Sequence, residues 1–197
     1  MKTRSVCFLL LAEVTAMSLW FVSAAILPEM SKVASLSPFQ EAALSSGVQA
    51  GFVIGALALA VIGLPDRIDP RSVFSASAIA AGSIYLCLLV VDPASWTAIA
   101  VRVATGALLA GVYPVGMKII VGWGLRDRGF LVGALTSALA LGSASPHLIA
   151  LRGGTDWQLT VIATSAAAIF AGLLCIGISL GPHHAKAARF DPSVIPT

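Results

Sequence analysis

The sequence has little charge. Of its 197 residues, 11% are Asp, Glu, Lys or Arg, 58% are hydrophobic, and the mean hydropathy is +0.95. A soluble domain carries about 25% charged residues. The shortage excludes one and points to an integral membrane protein. The net charge is +3 and scattered, so nucleic acid is not a partner that the sequence suggests. Cysteine is scarce too. Cys7, Cys87 and Cys175 stand alone in three separate apolar segments. With no CxxC pair and no Cys/His cluster, neither a disulfide framework nor a metal site can be read. His183-His184 lacks further ligands and reads as solvated. The motifs GxSxG, Walker loop and HExxH are all missing. No enzyme activity and no cofactor are therefore expected, and a primary pump acting alone is disfavoured. A cleavable signal peptide is also disfavoured. The first apolar run follows Lys2 and Arg4, contains Glu13, and lacks a small-x-small site before a polar start.

What is present is apolar length. A membrane-spanning helix needs about 20 mostly apolar residues. Six stretches qualify, at about 5–27, 40–64, 72–91, 96–121, 129–151 and 158–180. Turn-like breaks separate them: Pro28 and Ser35–Pro38, Leu64–Arg71, Asp92-Pro93, Gly122–Gly129, and Arg152–Asp156. The reading is an all-α membrane protein with a six-helix domain over 1–180 and a polar tail over 181–197. Because the loops are short, consecutive spans are expected to be antiparallel neighbours. Orientation follows from Lys and Arg. With the N-terminus inside, the inner segments hold Lys2, Arg4, Arg67, Arg71, Lys118, Arg126, Arg128, Lys186 and Arg189. The outer ones hold Lys32 and Arg152. Both termini are thus expected to be cytoplasmic, in the plasma (inner) membrane.

A repeat lies beneath the spans. Span 2 carries Gly47, Gly51 and Gly55, and span 5 carries Ala134, Ala138 and Gly142 at the same step of four. Spans 1 and 4 each hold one intramembrane charge, Glu13 and Arg102. Three spans per unit make the two units inverted, an arrangement that several transporters use. Small residues at steps of four also serve plain helix packing, so Gly47, Gly51, Gly55 and Gly106 are expected to be close-contact positions.

An arginine in hydrocarbon is costly unless it faces a partner or a polar cavity. Arg102 and Tyr113 share one face of span 4 with Gly106. Glu13 and Trp20 share a face of span 1, His147 sits on span 5, and Gln49 on span 2. These faces could line one solute and proton pathway. Glu13 is roughly 12 Å from its inner helix end and Arg102 roughly 10 Å from its outer end. Side chains lean towards their own helix N-terminus, so these two lean apart. A shared cavity is expected before a direct ion pair. Lys118 is expected to reach for the interface.

These residues resemble the major facilitator superfamily, over the whole chain, as its N-terminal six-helix half. The stretch Gly63-Leu64-Pro65-Asp66-Arg67-Ile68-Asp69-Pro70-Arg71 is similar to the family's loop between helices 2 and 3, with one residue fewer between glycine and aspartate. Arg102 and Gly106 have the spacing of the family's helix 4 motif. The resemblance implies that the latter serves proton coupling, and that Asp66, Arg67 and Arg71 latch the cytoplasmic side. Gly142-Ser-Ala-Ser-Pro146 is loosely like the antiporter motif, and the glycine-asparagine signature of nitrate porters is missing. Family members usually have twelve helices. Six imply pairing with a second copy of the chain or with a complementary six-helix chain. The expected function is secondary transport of a small polar or anionic solute, proton-coupled, by alternating access in lipid. The alternative is a non-transporting accessory or structural membrane subunit.

Overall fold

A computed structural model describes residues 2–150 and 156–184, with side chains through His147 in the first stretch. Arg152, Lys186 and Arg189, which entered the charge bias, lie outside the described residues, as does most of the tail. Every regular element among the described residues is helical. In hydrocarbon the backbone must satisfy its own polar groups, and helices do so within one segment. Among the described residues, six stretches are long and apolar enough to cross a membrane: Lys2–Val33, Pro38–Ile62, Pro70–Leu89, Trp96–Val121, Arg128–His147 and Trp157–Ile176.

Two spans are built from two helices each. Span 1 is α1 (Lys2–Met17) followed by α2 (Val22–Val33). The helix does not stop at Pro28, where the sequence reading ended it. Pro28 sits inside α2, and the chain leaves the helix only at Ala34. Span 2 is α3 (Pro38–Ile62), started by a capping box. The Ser37 hydroxyl accepts from the Gln40 amide at 3.3 Å, and the Gln40 side chain accepts from the Ser37 amide at 2.8 Å. Gly63, at φ 65°, ends it, a conformation that costs glycine nothing. The short α4 (Leu64–Arg67) leads to α5 (Pro70–Tyr85), extended by a 3₁₀ turn over Leu86–Leu89. Span 4 is α6 (Trp96–Leu109) followed by α7 (Tyr113–Val121). Spans 5 and 6 are α8 (Arg128–Ala150) and α9 (Trp157–Ile176).

Consecutive spans are mostly not the closest partners, contrary to the expectation from loop length. The most extensive contacts join α3 to α6, α5 to α9, and α1 to both α8 and α9, while α8 and α9 barely meet. The cause is where small residues allow backbones to touch. A Cβ on Gly51 would lie 1.9 Å from the Val103 carbonyl oxygen, and one on Gly55 2.2 Å from that of Ala107. In return, a Cβ on Gly106 would lie 1.9 Å from the Val48 carbonyl oxygen. The two helices interlock in both directions. Short loops permit neighbours in sequence to pack, but do not oblige them to.

The α5–α9 contact is reciprocal. Gly82 on α5 meets the Ser165 carbonyl and the Ile169 side chain of α9. Gly172 on α9 meets the Ser75 carbonyl and the Ile79 side chain of α5. The same three residue types recur 90 positions apart: 75 and 165, 79 and 169, 82 and 172.

Glycine position, rather than glycine as such, should therefore set stability. Gly51→Ala is expected to destabilise by about 1–3 kcal/mol, the usual range for overpacking. Gly133→Ala, where an added Cβ meets nothing within 4 Å, should leave stability unchanged or slightly raised. Thermal unfolding of the two variants in detergent checks the contrast. Equal behaviour would contradict the interlock.

Candidate functional site

The site begins at a fault in the backbone. Between Met17 and Val22 the helical ladder of span 1 is interrupted. The carbonyls of Leu19 and Trp20 lie ahead of the first acceptor of α2 at Phe21. Such groups need donors, because no water reaches them in a packed apolar interior. α6 supplies one. Arg102 is completely buried. Its Nη1 donates to the Leu19 carbonyl at 3.2 Å, its Nη2 to that of Trp20 at 3.3 Å, and its Nε to that of Leu44 on α3 at 3.3 Å. Its guanidinium lies over the Tyr85 ring, 5.2 Å from the centroid. Gly47 makes room for it: a Cβ there would be 3.2 Å from the Arg102 Cβ. Three of the five N–H groups that an arginine owns are engaged with backbone. One charged side chain ties spans 1, 2 and 4 together and stacks on span 3.

Glu13 is treated differently. It too is completely buried, yet neither carboxyl oxygen has a hydrogen-bond partner. The carboxyl rests against α7. A Cβ on Gly116 would lie 2.7 Å from Oε2, 3.5 Å from Phe74 and 3.7 Å from Leu135. Only a glycine at 116 leaves the carboxyl its place. Glu13 and Arg102 form no ion pair. The guanidinium reaches along span 1 to Leu19 and Trp20, while the carboxyl lies level with Gly116 on span 4.

The remaining predicted residues fall into separate groups. Trp20 and His147 come together, lining with Phe21, Ser143 and Ala144 an open groove of about 500 Å³ between spans 1 and 5. His147 is exposed. The Trp20 ring also meets Phe52 edge-on at 4.9 Å. Tyr113 is half-buried, its hydroxyl 3.4 Å from that of Thr136 on α8. Gln49 is half-buried on α3 and, with its amide nitrogen turned inward, reaches the carbonyls of Ser45 and Ser46 at 2.9 and 3.1 Å.

At the far end from Ser95, the loop residues make two local ties. Asp66 is ion-paired with Lys118 of α7, which also donates to the Pro65 carbonyl at 2.8 Å. Lys118 thus bridges to the loop where the sequence reading sent it to the interface. Asp69 is paired with Arg71 at 2.6 Å, and Arg71 donates to the Ile178 carbonyl beyond α9 at 2.9 Å. Hydrogen bonds from Arg71 hold the Asp69 carboxyl below its usual range. Arg67 is exposed. Sequence reasoning missed Tyr85 and Gly116. Their only signals were a tyrosine in an otherwise apolar span and a glycine three residues beyond Tyr113.

Removing the guanidinium should leave the Leu19 and Trp20 carbonyls without a donor and take a further bond from the Leu44 carbonyl. Arg102→Leu is expected to destabilise by about 3 kcal/mol or more, since hydrogen bonds to charged groups contribute about 1.5–3 kcal/mol each. Arg102→Lys should recover only part, because an ammonium lacks the planar fork. The expected order of melting temperatures is wild type, then Lys, then Leu. A leucine variant as stable as wild type would show that the carbonyls do not need the arginine.

No curated protein and no solved structure matches the chain. A family model, the Major Facilitator Superfamily, matches residues 9–194. The match takes in both buried charges, the Asp66–Arg71 loop, most of the first apolar stretch and the other five whole. With a match of that extent on a six-helix membrane fold, the chain belongs to the Major Facilitator Superfamily, a family of membrane transporters.

Proposed function

We propose that the chain is a proton-coupled secondary transporter of a small polar or anionic solute, working by alternating access as a dimer of six-helix halves. The observation that carries the proposal is Glu13. An ionised carboxylate without partners is too costly inside a membrane protein. The group can hold its charge only when water or a cation reaches it. A carboxyl that alternates between a sealed and a wetted place binds a proton in one and releases it in the other. The lean towards a polar or anionic solute rests on His147 and Ser143, which line the open groove with Trp20.

Two further readings accompany this. The six spans form two inverted three-helix repeats. The reciprocal α5–α9 contact supports this, because an isologous contact is what a two-fold relation produces. The other pairings agree. Exchanging spans 1, 2, 3 with 4, 5, 6 turns the α3–α6 contact into the α8–α1 contact. The broken spans are also 1 and 4, the leading span of each triplet. Dimerisation is supported by the exposed His147 beside the open groove of spans 1 and 5, which a second copy or a complementary chain would cover. By the charge bias, the Asp66 end and both termini face the cytoplasm.

Reconstituted vesicles with an internal pH dye test the coupling. Small carboxylates and neutral polyols, added singly, should include a solute that changes internal pH with wild type. Glu13→Gln should abolish that change and retain exchange of the same solute down its gradient. Proton movement undiminished in Glu13→Gln would remove the carboxyl from the mechanism.

The mass in detergent tests the assembly. Two chains per particle are expected, and a stable single chain that still transports would refute the paired arrangement.

A further inference from the structure

We infer that α7 is a hinged cover over Glu13, with Gly116 as its contact surface. The inference rests on the reading of Glu13 as the proton-carrying group. Three observations converge on it. First, span 4 is not one helix. The chain between α6 and α7, Ala110–Val112, is held by i to i−3 bonds from Gly111 to Leu108 and from Val112 to Leu109. Pro114 follows, a residue that offers no N–H to the ladder. α7 is therefore joined to α6 through a weak point and can tilt about it.

Second, Gly116 of α7 is the backbone against which the unpartnered Glu13 carboxyl lies. Tilting α7 away removes that wall and no hydrogen bond of the carboxyl is broken, because it has none there.

Third, there is space to tilt into. A half-open cleft of about 200 Å³ lies beside α7, lined by Ala56 and Ala60 of α3, Ala110, Pro114 and Val115 of span 4, and Asp66. A helix with an open cleft beside it moves against less packing than one enclosed on every side. The Lys118–Asp66 pair crosses the same gap and links α7 to the loop. It is partly exposed, and such pairs are weak, so it guides the segment without fixing it. α6 has no such freedom, being interlocked with α3 through Gly51, Gly55 and Gly106.

The test reads water access at Glu13 and does not depend on transport. The whole protein in nanodiscs is treated with a water-soluble carbodiimide and an amine, and the peptide carrying Glu13 is followed by mass spectrometry. Ala56→Leu fills the cleft and should slow labelling severalfold. Gly116→Ala places a methyl where the carboxyl sits, props the cover off, and should speed labelling severalfold. The opposed directions separate gating from damage, since a loosened fold labels faster in both. If Ala56→Leu labels as fast as wild type, or faster, the hinged cover is wrong. Labelling that responds as expected, in a protein where Glu13→Gln leaves proton coupling intact, would keep the cover and reject the coupling role.

Discussion

The structure depends on one obligation: backbone carbonyls opened inside a membrane bundle must find donors that are not water. Span 1 opens them at Leu19 and Trp20, and Arg102 answers them. The rest of the packing can be derived from that. A guanidinium reaches its targets only if α6 lies close to span 1 and α3, and α6 can lie that close to α3 only through Gly47, Gly51, Gly55 and Gly106. The glycines and the arginine are one device. Neither explains the geometry without the other.

The two buried charges show how the same setting yields opposite roles. Arginine keeps its charge at any working pH and offers five donors, so it suits a place where acceptors are fixed and permanent. A carboxyl can shed its charge and offers little to a wall of glycine, phenylalanine and leucine. Arg102 is held in place by its partners, whereas Glu13 is held in place only by what covers it. Structural permanence falls to the first and conditional access to the second. Tyr85 extends the first role, because an aromatic face favours a cation that has been stripped of water.

Much of this was legible in the sequence. The six apolar lengths, the importance of Arg102 and the close-contact glycines follow from cost and size alone. The depth argument also ranked a shared cavity ahead of a direct Glu13–Arg102 ion pair; no ion pair forms, and Arg102 is tied to backbone carbonyls instead. Partners were not legible. Periodicity tells which residues share a face, but not which helix that face meets. The glycines of span 2 could have served span 1 or span 3 as well as span 4. Loop length misled for the same reason. It restricts distance at one end of a helix pair and leaves the remaining length to side-chain size. Lys118 was read as reaching for the interface; that it meets Asp66 in the loop there, 52 positions away, was not legible. Pro28 was read as a stop, although a helix can continue past proline when neighbours satisfy the freed carbonyl.

The most informative feature is where the two triplets stop matching. Their frames correspond: the α5–α9 contact repeats at a spacing of 90, and each triplet opens with a broken span. Their breaks are filled differently. The fault in span 1 receives a cation that gives it two hydrogen bonds and anchors itself to α3 with a third. The fault in span 4 receives none of comparable strength, only close packing of Gly111 against Ser77. A pinned break transmits force as a rigid rod does, whereas an unpinned one bends. If the proposed two-fold relation holds, one pinned break and one unpinned break single out the segment that lies on Glu13 as the part proposed to move. Arg102 on span 4 and Glu13 on span 1 are the two side chains by which the triplets differ most: the first is engaged by backbone carbonyls, the second by nothing but packing.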